Sequence, residues 1–85
     1  MPTKTVTVGS SAGLHVRPAG IIADAAGELG STVYLAVPGD EPVEADSALL
    51  IMTLGAGAGD EVEVSGDDEA DVEAIAALVA ADLDA

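Results

Sequence analysis

The sequence predicts an α+β two-layer sandwich with the element order β-α-β-β-α-β-α. Three observations predict it. Three short segments alternate polar and apolar residues, the mark of strands with one wet face. Two longer segments place apolar residues at helical spacing. A capped apolar run between them reads as a further short helix, so one face of the sheet is covered by helices and the other is left to water.

Thr3-Lys4-Thr5-Val6-Thr7-Val8 alternates with β-branched residues and reads as the first strand. Gly9 to Gly13 is a loop of Gly, Ser and Ala. From about Val16 to Leu29, the residues Ala19, Ile22, Ala23, Ala26 and Leu29 share one helix face. Pro18 fits only the first turn of that helix, where amide hydrogens lack partners anyway. Gly30 is a stop signal. Ser31 to Val37 alternates through Val33, Leu35 and Val37, a second strand, and Pro38-Gly39-Asp40 is turn chemistry. Pro42 to Ala45 gives a short third strand.

Ser47 precedes Ala48-Leu49-Leu50-Ile51-Met52-Thr53-Leu54, and Gly55 follows. A serine cap and a glycine stop predict a helix of about two turns. A buried strand is the competing reading of that run. Glu61 to Ser65 alternates cleanly as a strand. Gly66-Asp67-Asp68-Glu69 opens the last helix with acids at its positive end. Val72, Ile75, Ala76, Val79 and Leu83 mark the face of that helix expected in the core. No linker or repeat divides residues 1–85, which read as a single domain.

Composition narrows the function. Lys plus Arg is 2 and Asp plus Glu is 16, a net charge of −14. Such a chain repels phosphate backbones and anionic membrane surfaces, and with one aromatic residue, Tyr34, it has no base-stacking platform. No nucleic-acid partner is expected. No apolar run approaches a membrane span and no signal-peptide pattern opens the chain, so a cytoplasmic protein without membrane insertion is expected. The absence of Cys removes disulfides and thiolate chemistry. Leu, Ile and Val make up 22 of the 85 residues, enough for a folded core rather than a disordered chain.

One His exists, His15, and one Arg, Arg17. Among 16 acids, two side chains able to carry positive charge thus lie two residues apart. Pro18 places them at a helix start, where the backbone N–H groups of Val16 and Arg17 point outward and the macrodipole favours an anion. A guanidinium adds forked donors suited to phosphate oxygens. A neutral imidazole is a competent nucleophile near neutral pH. The competing reading makes His15 a plain cap residue and Arg17 an ordinary surface cation. One His with scattered carboxylates gives no metal signature. Composition leaves a Ser-His-Asp triad open, but a domain this small offers little pocket volume.

The stretch Gly13-Leu14-His15-Val16-Arg17-Pro18-Ala19 closely resembles the active-site signature of the HPr family. These are histidine-containing phosphocarriers of the phosphoenolpyruvate-dependent sugar phosphotransferase system. Ser47 to Gly55 looks like that family's second signature, and the element order is the family's order. The resemblance covers essentially the whole chain. The Thr-Val-Thr-Val-Gly-Ser-Ser start and the Ala-Asp-Leu-Asp-Ala end look most like actinobacterial members.

The resemblance implies an open-faced sandwich with a four-stranded antiparallel sheet. It implies that Enzyme I passes a phosphoryl group to Nδ1 of His15, that Arg17 steadies it, and that the IIA domain of a sugar permease receives it. It implies a carrier without independent turnover, cofactor or metal, and a monomer. The expected docking surface combines Val16 and Gly20 with Ala48, Leu49 and Met52. Val16 and Gly20 depart from the family's usual smaller residue and Ser or Ala. Ser47 falls where many Gram-positive members carry a regulatory phosphoserine, although Asp46 stands where Lys is common. Its role as a helix cap holds either way. Related carriers serve nitrogen control or dihydroxyacetone phosphorylation, and a regulatory module that transfers nothing is a further alternative.

The acidity has two readings, a saline cytoplasm or a GC-rich genome, and the actinobacterial likeness supports the second. Thermal unfolding separates them. Salt adaptation predicts a steep rise in midpoint from low to molar salt, while compositional drift predicts only a modest one.

Overall fold

The computed structural model describes residues 1–83. Its elements are β1 (Thr3–Thr7), α1 (Val16–Gly27), β2 (Val33–Ala36), β3 (Val43–Glu44), α2 (Ala48–Thr53), β4 (Glu61–Gly66) and α3 (Glu69–Ala80). The strands form one antiparallel sheet in the order β1-β4-β2-β3. All three helices lie on one side, with α3 against β1 and β4 and α1 packed on both α2 and α3. The open-faced sandwich expected from the sequence is therefore present, and the run from Ala48 is helical rather than a strand.

The period of two in β4 sorts its side chains. Val62 and Val64 are fully buried, while Glu61 is exposed and Glu63 and Ser65 are half-buried. Cross-strand pairing extends the wet face as Thr3 opposite Ser65, Ser65 opposite Tyr34, and Tyr34 opposite Glu44. The inner face carries Val33, Leu35, Val62 and Val64 into a core with Ile22, Ile51, Val72, Ile75 and Val79. At its edge Lys4 reaches Glu73 on α3, at 2.9 Å. That exposed pair contributes little to stability.

Several boundaries fall inside those expected. Strand β3 begins at Val43 because Pro42 has no N–H for the ladder. Helix α1 ends at Gly27, where Glu28 and Leu29 donate back to the carbonyls of Ala25 and Ala26 in a tightened last turn. That turn still carries Leu29 against the core. Leu83 also packs on the core, though it lies beyond the end of α3 and so outside its helical period.

Ser10 explains the position of Leu83. It is fully buried. Its hydroxyl donates to the Ala81 carbonyl at 3.4 Å and accepts from the Leu83 N–H at 3.1 Å. The preceding Gly9 donates its N–H to Val79. A Cβ on Gly9 would stand 2.0 Å from the Ala80 carbonyl oxygen, so only glycine permits this approach. The loop after β1 is thereby clamped to the end of α3. Replacing Ser10 by Ala removes both hydroxyl bonds, which tie the Ala81 carbonyl and the Leu83 N–H to the loop. Chemical denaturation is expected to show a loss of about 1–3 kcal/mol, whereas an unchanged midpoint would show that the clamp contributes nothing.

Candidate functional site

The site begins with a turn, not a helix. Gly13 has φ of +82°, a conformation that glycine adopts without steric cost. Its N–H bonds the Ser10 carbonyl at 3.0 Å. Leu14 then donates to the Ala56 carbonyl at 3.0 Å and buries its side chain. These contacts bring the loop after β1 onto the loop between α2 and β4. That second loop is itself held by the Asp60 carboxylate, which accepts from the Gly57 N–H at 2.8 Å.

With Leu14 anchored inward, His15 is directed outward. It is exposed and extended, with φ of −97° and ψ of −159°, and serves as the N-cap of α1 through its backbone. Its carbonyl accepts from the Ala19 N–H at 2.9 Å. Its imidazole makes no cap hydrogen bond. Pro18 has no N–H, and Ala19 has spent its own. The first-turn donors that α1 leaves unused are therefore those of Val16 and Arg17, the pair expected from the sequence. Arg17 is exposed on the same turn. No acidic residue occupies that turn to neutralise it.

Ser47 caps α2 by accepting the Leu50 N–H at 3.3 Å. A six-residue helix buries one side only, here through Ile51. Leu49 is 70% exposed and Val16, on the neighbouring α1, is 71% exposed. Gly20 and Ala48 are half-buried. Met52 is half-buried against the core and, with Leu14, His15 and Ala56, lines an apolar cleft of about 320 Å³. Of the anticipated residues, the structure brings Met52 and His15 to one cleft, and it leaves Val16 on α1 and Leu49 on the adjoining α2 exposed. It also adds Ile21 and Leu50, both exposed and apolar. Their place in runs of apolar residues hid them from sequence reasoning. Among the described residues, no group of three or more His, Cys, Asp or Glu could hold a metal ion.

A sheet covered on one side by three helices, with a lone histidine presented at a helix start, is the arrangement expected from the resemblance to the small histidine phosphocarriers. Residues 2–81 match the family described as the PTS HPr component phosphorylation site. The phosphocarrier protein HPr of Streptomyces coelicolor is 40% identical over 99% of this chain and 94% of its own. That of Treponema pallidum is 42% identical over 81% of this chain and 80% of its own. The crystal structure of a phosphocarrier protein HPr from Bacillus anthracis superposes with a TM-score of 0.84 at 30% identity, covering 92% of this chain and 95% of that one. The chain belongs to the HPr family, the phosphocarrier components of the phosphotransferase system, and is a carrier rather than an enzyme in its own right. The Streptomyces relative agrees with the actinobacterial character read from the two chain ends.

Gly13 tests how the site is held. A Cβ there would lie 2.7 Å from the Ala56 oxygen and 2.9 Å from Gly57 Cα, on a backbone that disfavours side chains. Gly13→Ala is expected to cost about 1–3 kcal/mol of stability. The amide resonances of His15, Val16 and Ala56 should shift together. A shift confined to residue 13 would show that the two loops are not coupled.

Proposed function

We propose that this chain takes a phosphoryl group onto His15 from phospho-Enzyme I and gives it to the IIA domains of sugar permeases in the cytoplasm. It works as one monomeric carrier domain. The observation that carries this reading is the outward imidazole of His15 at the head of α1, beside Arg17 and two unused amides.

The neutral ring approaches the donor's phosphorus through Nδ1, the atom the family likeness implies. The Nδ1 lone pair forms the new P–N bond as the donor's bond to phosphorus breaks and its electron pair returns to the donor atom; the phosphoryl oxygens keep their charge, and the Nε2 proton of His15 passes through solvent to the donor. The product carries close to two negative charges. The Val16 and Arg17 amides and the positive end of α1 face that charge. The Arg17 guanidinium reaches its oxygens as a forked donor. Transfer onward is the reverse step with a different acceptor. No hydrolysis is needed, and the open site suits a group that must leave again.

The exposed apolar residues Val16, Leu49 and Leu50, with Gly20, Ala48 and Met52 at their margin, supply the docking surface. An interface of this kind is small and transient, as a carrier serving two partners requires. No helix among the described residues is long and apolar enough to cross a membrane. Ser47 keeps its hydroxyl on the Leu50 N–H, so a phosphate there would replace a cap that already works.

Incubation with Enzyme I and phosphoenolpyruvate is expected to add one acid-labile phosphate. A His15→Ala protein labelled to the same extent would overturn the assignment. Arg17→Ala should retain labelling but slow transfer by about ten- to a hundredfold, the loss of one charge-assisted bond. An unchanged rate would remove Arg17 from the site.

A further inference from the structure

We propose that the exposed face of α1 and α2 docks a protein with a basic rim, which places a Lys or Arg side chain beside Asp46 when the phosphoryl group it donates meets His15. This rests on the carrier reading above and names the chemistry of the surface that carrier must meet.

The exposed stripe of α1 runs through Arg17, Ile21, Asp24 and Glu28, successive residues three or four apart on one side of the helix. The stripe changes sign along its length. Its head holds His15, Arg17 and the first-turn amides. Its tail holds Asp24 and Glu28, with no basic residue in the last turn and the negative end of the macrodipole. Asp46, exposed at the entry to α2, adds a third carboxylate. With Gly27, Gly30 and Ser31 it lines a cleft of about 180 Å³ at that end. Twelve residues at 1.5 Å per residue put head and tail about 18 Å apart.

Between the two poles of α1 stands Ile21, exposed and apolar, and the neighbouring α2 exposes Leu49 and Leu50. Nothing basic in the chain neutralises the tail. The sequence has two cationic side chains; Arg17 is at the head, and Lys4 is held by Glu73 on α3. An apolar centre with charged ends is the anatomy of a protein interface. Complementarity then fixes its partner. An anion belongs opposite the head, which is the donor's phosphoryl group. A cation belongs opposite the tail. Docking in the reverse sense would set a phosphoryl group against three carboxylates, so the two poles select one orientation. A partner with an acidic rim would instead be repelled by a chain of net charge −14 and would need salt to approach it.

The test measures phosphoryl transfer from phospho-Enzyme I of the source organism to this chain, from about 50 mM to about 500 mM NaCl. Circular dichroism at each salt confirms that the protein is folded. The expected result is a fall in kcat/KM of at least about tenfold as salt rises. The variant Asp24→Asn, Glu28→Gln, Asp46→Asn should be about fivefold slower in kcat/KM at low salt, unchanged in kcat, and equal to the parent at high salt. A control variant, Glu44→Gln, Glu63→Gln, Asp67→Asn, loses three carboxylates elsewhere and should lose less than half as much. A rate that is flat or rising with salt overturns the proposal. So does a control that matches the α1 variant. Absence of phosphate on His15 at every salt would instead remove the carrier reading itself, and the proposal with it.

Discussion

The hydrogen bond from the Leu14 amide to the Ala56 carbonyl decides where His15 stands. It joins two loops that are distant in sequence, and it forms because Gly13 lets the main chains approach closely. Leu14 then enters the core and the next residue must face outward. Helix α1 starts from that point. The outward direction of His15, the unused amides and the position of Arg17 all follow from one contact between backbones. A side chain at residue 13 would disturb each of them together.

The core around this contact is built of small pieces. Alanines 19, 23, 26, 45, 56 and 76 are buried, and each removes little apolar area from water. Small residues permit close packing of α1 on α2 and α3, and they leave little margin against charge repulsion within the folded chain. Main-chain bonds and buried polar bonds therefore carry weight out of proportion to their number. The Ser10 clamp is one, and the double cap of Asp68 on the amides of Ala70 and Asp71 is another. Local anchors of this kind hold the ends of elements that a thin core fixes less firmly.

Much of this was legible in the chain. Helical spacing from Val16 onward, Pro18 in the first turn and Ser47 before an apolar run located α1 and α2, because these signals are local. The placement of His15 at a helix start followed from Pro18 alone. The order of strands within the sheet was not carried by any local pattern, since β4 pairs with both β1 and β2 across long stretches of sequence. Ser10 in a Gly-Ser loop reads as solvated, and only the fold brings the end of α3 over it. Ile21 and Leu50 fit an apolar pattern equally well inside or outside. Which face they take depends on the neighbours each helix meets.

The outer side of the sheet carries a different consequence. Thr3, Ser65, Tyr34 and Glu44 form a row there with no described helix over it. Substitution on that plane alters the molecule's isoelectric point without repacking its interior. Acidic residues can accumulate on this surface at little cost to packing. On the proposed reading the helical side also meets the partners, so the same change of charge there would alter docking as well.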